Sequence, residues 1–480
     1  MLQLLWLLLI WRPICAKSQE AAPEQVHLAL GDRADIIVVT WVTLLPTNSS
    51  IVLYGTSELL LQTATGSHTT YVDGGTEERV FYNHRVTLQD LLHGYRYYYK
   101  CGDGSSWSQT FTFRALADHP FWSPRLAIFG DMGITDNLAL PELVREINEK
   151  DSFDVILHNG DFAYDMDTNN SRFGDIFMKQ IEPIASAVPY MTAVGNHEQA
   201  YNFSNYKARF SMPGGDGESQ FYSFNIGPAH IISFSSEFYY YLSYGWRQPF
   251  RQYDWLEQDL LDANKPENRQ LRPWIIAFGH RPMYCSNNDD AMHCDNVNNI
   301  VRTGFPYGKN GSSGYSLGLE ELFYQYGVDI IIGAHEHSYE RFWPVYNLKV
   351  CNGTPENPYL NPPAPVHIVT GSAGCSEGMD PFTPGGKPWS AFRSDDYGFT
   401  RMHIHNKTHL SVEQISVQQG PNGVVIDSFT IVNSHHGKDQ FTCHLEPESQ
   451  EKPWTAIQPA KKAILRNVGT SRAWARLFAP

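Results

Sequence analysis

The chain lacks the basic excess that a nucleic acid or an anionic membrane would require. Its 480 residues carry 51 acidic against 36 basic side chains, a formal net charge of −15, and those partners need a positive footprint. It also lacks an apolar run of transmembrane length. The compact apolar stretch at residues 2–11 is too short, because ~30 Å of hydrocarbon takes about 20 helical residues. With Pro13 and the small residues Cys15 and Ala16 behind it, it reads as a secretory signal over about residues 1–19. No internal repeat and no low-complexity block is present, and 42% hydrophobic residues argue for a globular chain and against general disorder. At this length two or three domains are expected.

Cysteine is scarce, at 7 residues. Loss of Cys15 with the signal leaves Cys101, Cys285, Cys294, Cys351, Cys375 and Cys443, an even set suited to an oxidising compartment. Cys285 and Cys294 close the shortest loop and are expected to pair. Sequons at Asn48, Asn169, Asn202, Asn310, Asn352 and Asn406 fit a glycosylated, secreted protein, with a lysosomal location as the alternative.

What is present divides the chain by its patterning. Over residues 25–118 the segments HLALG, IIVVTWV, SIVLYG, FYNHRVTL, YRYYYKCG and SQTFTFRA are short, alternating and bounded by turn residues. They predict a fibronectin-III-like β-sandwich, with Trp41 in its core and Tyr95 at a corner. Over residues 122–432 the apolar runs RLAIFG, FDVILHNG, YMTAVGN, WIIAFGH and VDIIIGAH each end in glycine plus a polar residue, with amphipathic stretches between them. That grammar predicts an α/β domain whose ligand lies beyond the carboxyl ends of its strands. VHIVTGSAG, FTRMHIHN, HLSVEQISV and VVIDSFTIV continue as later strands, and residues 434–480 read as a solvated tail, basic beyond Glu451.

The polar residues after the strands form a ligand list: Asp131, Asp161, Tyr164, Asn196, His197, His280, His335 and His337. Asp161 has two oxygens and can bridge two cations at the ~3.5–4 Å spacing of dimetal sites. Asp131, Asp161, Tyr164 and His337 make a hard, anionic set. A phenol with a pKa of about 10 loses its proton only beside a strong Lewis acid such as Fe(III). Asp161, Asn196, His280 and His335 are less charged and suit Fe(II), Zn(II) or Mn(II). His403 and His405 read as structural or exposed. So do Tyr239, Tyr240 and Tyr241, with a substrate rim as their functional alternative.

Taken in order, GDMG (130–133), GDFAYD (160–165), GNHE (195–198), GHRP (279–282) and HEHSYER (335–341) resemble the five metal-binding blocks of the purple acid phosphatases, within the calcineurin-like metallophosphoesterases. The preceding sandwich resembles the N-terminal domain of the plant-type members, so the resemblance spans roughly residues 25–432. It implies Fe(III) on Asp131, Asp161, Tyr164 and His337, and a divalent Zn, Fe or Mn ion on Asp161, Asn196, His280 and His335. His197 matches a histidine that contacts phosphate or the leaving group. Plant-type members carry histidines about ten residues after the GHxP histidine; here CSNNDDAMHC offers His293, the candidate general acid. The implied activity is that of an acid phosphatase cleaving phosphate monoesters with a metal-bound hydroxide. Small phosphorylated molecules are its expected substrates, with phosphoproteins as a further class. A phosphodiesterase or pyrophosphatase with the same site, or a non-catalytic secreted binding protein, are the alternatives.

Overall fold

A computed structural model describes residues 22–288, 294, 296–309 and 312–443. The expected signal segment, the sequon at Asn310, His293 and residues 444–480 lie outside the described residues.

Seven strands, Glu24–Leu30, Ile37–Thr43, Ser50–Gly55, Gln62–Val72, Val80–Leu88, Arg96–Gly102 and Phe111–Arg114, build the N-terminal unit. The fourth strand joins its two sheets. Residues 62–66 pair with Ser50–Gly55, and residues 67–72 pair with Val80–Leu88. Gly66 marks the switch, since a Cβ there would lie 1.9 Å from the Arg85 carbonyl oxygen. QTATGSHTTYV has no apolar alternation and so carries no strand signal of its own, and the strand is largely exposed. Trp41 is fully buried, as expected, and stacks on His84. Tyr95 is not the corner residue: it is 56% exposed. The buried corner tyrosine is Tyr97, whose hydroxyl accepts the Leu92 N–H at 2.9 Å.

The second unit is a sandwich of two sheets flanked by helices. One sheet runs Tyr190–Thr192, Val155–His158, Arg125–Phe129, Gly398–Ile404, His409–Ser416 and Val424–Val432. Its first three strands are parallel. The other runs Tyr222–Ile226, Ala229–Ser233, Trp274–Phe278, Ile330–Gly333, Val366–Thr370, Tyr339–Phe342 and Ser390–Ser394. Strand periodicity explains the layering. Leu126 and Ile128 join Ile276, Ile332 and Ile368 in the core between the sheets. Ala127 and Phe129 face the helices Leu140–Asn148 and Thr168–Ala185, while Ile275 and Ala277 face Gln248–Ala263. Buried on both faces, these strands are mainly apolar, with His367 and Thr370 among the buried exceptions.

The two units meet through a buried polar network. Asp175 pairs with Arg79 at 2.7 Å and Arg209 at 2.9 Å, and accepts from the Gln25 side chain at 3.2 Å. Cys285 and Cys294 form the expected disulfide, and Cys351 pairs with Cys443. Cys101 and Cys375 are free and buried, so the even set does not pair completely. The second bridge also corrects the boundary of the tail. Residues 434–443 pack onto the domain, with His436 on Asp329 at 3.1 Å and Phe441 buried. Asn48, Asn169, Asn352 and Asn406 are exposed, and Asn202 is half-buried. No helix among the described residues is long and apolar enough to cross a membrane.

Candidate metal centre

The carboxyl ends of the parallel strands from both sheets open on one edge of the sandwich. There the chain turns through left-handed backbone at Asp131 (φ 59°), Asp161 (φ 53°), Tyr164 (φ 54°) and His335 (φ 71°). Non-glycine residues in that region cost of order 1–3 kcal/mol each, and such strain gathers at functional sites. Gly160 (φ 91°) allows close packing: a Cβ there would meet the Gly195 nitrogen at 2.7 Å and the His280 ring at 2.8 Å. The strand-end glycines thus let separate loops approach within contact distance.

Two groups of side chains result. In the first, His280 Nδ1–H donates to the Asn159 carbonyl at 2.8 Å. That leaves Nε2 3.0 Å from Asp161 Oδ2 and 3.0 Å from Asn196 Oδ1. Ligand atoms of Asp161, His280 and His335 all lie within 4.8 Å of one another. In the second, His337 Nδ1–H donates to the Gly378 carbonyl at 2.9 Å, and Nε2 meets the Tyr164 hydroxyl at 2.7 Å. The same hydroxyl lies 3.4 Å from Asp131 Oδ1. Asp131 Oδ2 ties the groups together by accepting the His335 N–H at 3.0 Å. All seven ligand candidates therefore belong to one connected cluster. His197 stands at its rim, ring centroid 4.4 Å from that of Tyr164. Its N–H donates to Asp161 Oδ1 at 2.9 Å, and its Nδ1 lies 3.0 Å from Asp165.

Asp131 and Asp161 are buried, and among the described residues neither pairs with a lysine or arginine. Protons take the place of a fixed counter-charge. Burial pushes the Asp131 carboxyl up to about 7, against the opposing pull of His280 and His337. Burial would also raise Asp161, yet the charges of His280 and His197 hold it below the usual carboxylate range. Burial lowers the histidines, but their carboxylate neighbours win. Asp161 lifts His280 to about 9; Asp161 and Asp165 lift His197 to about 10. His337 rises to about 11 through Cys375 and Asp131. Buried acids, inward-aimed imidazole nitrogens and a phenol converge without a fixed positive charge among the ligands, which is the donor chemistry of a cation site.

Several supporting residues have little or no signal in the sequence. Glu198 is buried and accepts three backbone N–H groups, those of Asp161 (2.9 Å), Phe162 (3.0 Å) and Gly195 (3.0 Å). It lashes together the loops that carry Asp161 and Asn196, and its place inside GNHE was the available signal. Asp380 accepts the His337 N–H at 2.6 Å, and nothing in its surroundings marked it. Tyr239 does not reach a rim: it is buried, its hydroxyl donating to the Leu317 carbonyl at 2.6 Å.

Comparison with known proteins bears on this geometry. Residues 23–115 match the family description purple acid phosphatase, N-terminal domain; residues 124–339 match calcineurin-like phosphoesterase; residues 364–428 match iron/zinc purple acid phosphatase-like protein C. The chain is 53% identical over 422 residues to acid phosphatase type 7 of Danio rerio, covering 87% of this chain and 93% of that one. It belongs to the purple acid phosphatase family. The Homo sapiens acid phosphatase type 7 is 51% identical, covering 88% and 94% of the two chains. The purple acid phosphatase PPD1 from yellow lupin (Lupinus luteus) seeds superposes with a TM-score of 0.71 at 25% identity, over 89% of this chain and 78% of that one. As a member of an iron/zinc purple acid phosphatase family, the chain is a metallophosphoesterase whose cofactors are a ferric and a divalent ion, and the two groups of donors fit such a pair.

Proposed function

We propose that this purple acid phosphatase hydrolyses phosphate monoesters, with Asp131, Asp161, Tyr164 and His337 holding Fe(III) and Asp161, Asn196, His280 and His335 holding the divalent ion. The observation that carries the reading is the inequality of the two groups: only one contains a phenol beside a second buried carboxylate. When bound, the metals supply Lewis acidity toward phosphoryl oxygens and activation of a water nucleophile. The protein's own groups complete the chemistry. Asp161 orients His280 and the His197 loop through separate oxygens. Asp165 holds the His197 ring at the rim, where its other nitrogen can donate to a phosphoryl oxygen or to the departing alkoxide. His293 stays our candidate for a second acid. Glycosylation at the sequons and a secreted or lysosomal location accord with the signal and the disulfides.

Purified protein should contain iron plus one divalent metal, absorb in the visible, and turn over 4-nitrophenyl phosphate at acid pH faster than its bis-ester. A colourless, iron-free preparation with full activity would refute the ferric assignment. A faster bis-ester rate would favour the diesterase alternative.

A further inference from the structure

A buried ion pair abuts the proposed divalent half-site. Glu237 is fully buried and Arg281 is 6% exposed. Arg281 Nε donates to both Glu237 oxygens at 3.0 Å, while Nη1 donates to His335 Nε2 at 3.0 Å. Ser236 Oγ accepts the Arg281 N–H at 2.9 Å and donates to Glu237 at 2.8 Å. The Tyr240 ring lies 4.3 Å from the guanidinium carbon. The pair is thus held in one orientation, its positive end on His335 and its negative end behind. The opposite half-site has the reverse order. There Asp131 is buried beside Tyr164, and Asp380 accepts from the His337 backbone.

We propose that the Arg281–Glu237 pair is a charge selector, keeping the His280/His335 half-site divalent and directing Fe(III) to the Tyr164 side; this rests on the metal assignment proposed above. Repulsion from the guanidinium grows with the charge of the cation, and little solvent screens it at this depth. A trivalent ion is penalised more than a divalent one. Glu237 offsets part of that repulsion, so the two partners act with opposite signs.

The sign separates this role from simple support of His335. With ferric iron retained, Zn(II) affinity is measured by chelator competition in wild type, Arg281→Gln, Glu237→Gln and the double variant, with metal content and the visible band as parallel readouts. Charge selection has Arg281→Gln tighten Zn(II) about tenfold or more, Glu237→Gln weaken it about tenfold, and the double variant stay within about threefold of wild type. The visible band, which belongs to the Tyr164 side, should not move, while Arg281→Gln offered excess Fe(III) should take up iron beyond one ion per chain and wild type should not. Weaker Zn(II) binding in Arg281→Gln, or the same direction of change in both single variants, would overturn the proposal. If a lone buried charge prevents folding, Arg281→Lys and the double variant carry the test. Both should bind within about threefold of wild type, and a tenfold loss in both would point to mere positioning. Wild-type protein that takes up neither iron nor zinc overturns the underlying assignment and this inference together.

Discussion

His84 in the N-terminal sandwich and His280 in the metallophosphoesterase domain are both fully buried, and their environments push them in opposite directions. His84 stacks on Trp41 at 4.9 Å, with its nitrogens against the hydroxyls of Ser50 (2.8 Å) and Thr43 (3.0 Å). Among the described residues no carboxylate contacts it, and burial, aided by the neighbouring His68, lowers it to about 4. His280 is anchored through one nitrogen by a carbonyl, and the other faces Asp161, which lifts it to about 9 against the same burial. Burial alone makes a core residue. Burial with an anion opposite makes a site that wants a cation.

The largest test of that difference removes the anion. Asp161→Asn should release metal and cut turnover by about 10²–10³, the scale of losing one preorganised electrostatic group, as read by metal analysis and phosphatase assay on one preparation. Retained metal with normal turnover would dissolve the distinction between the two histidines. Glu198→Gln acts one step back. Glutamine keeps one acceptor oxygen for three backbone donors, so metal affinity should fall about 10–100-fold and stability by about 1–3 kcal/mol, measured by metal titration and denaturant unfolding. Unchanged values in both would show that the loops hold without it.

Tyr164→Phe sharpens the contrast between half-sites. The visible band should vanish while activity drops only about tenfold, because in the proposed assignment the Tyr164 phenolate would tune the iron without attacking the ester; a surviving band would assign the colour elsewhere. The smallest effect belongs to the sandwich. His84 has a folded pKa of about 4 against 6.5 unfolded, so the unfolded chain binds more protons between those values. The stability it contributes is complete above pH 6.5 and is lost as pH falls toward 4, about 1–3 kcal/mol in all. Denaturant unfolding at pH 7 and pH 4.5 should show a steeper acid loss in wild type than in His84→Phe, with phosphatase activity equal at pH 7.

The ligand candidates were legible because each follows a strand of unmistakable apolar pattern and ends in a glycine that permits the turn. Weak pattern carries no such signal. Gln62–Val72 is a strand held by its partners and not by its own hydrophobicity. Tyr95 and Tyr97 sit two residues apart on one segment, and only the packing of the corner decides which of them is covered.

The amino-acid sequence by itself determined the apolar strands of the α/β domain, the residue types at their ends, and therefore the chemistry a cation would meet. Those are local properties, set by side-chain periodicity and by which backbone turns glycine and aspartate can make. Tertiary structure alone decided that Glu198 would brace three amides, that Asp380 would cap His337, that Arg281 would turn its charge toward His335 with Glu237 behind it, and that Cys351 would find Cys443 at a separation of 92 positions. Apart from the Gly195 amide, three residues from Glu198, each of these contacts joins segments remote in the chain. Their partners are chosen by the folded geometry of two sheets closing on one core, and a linear pattern carries no record of that distance.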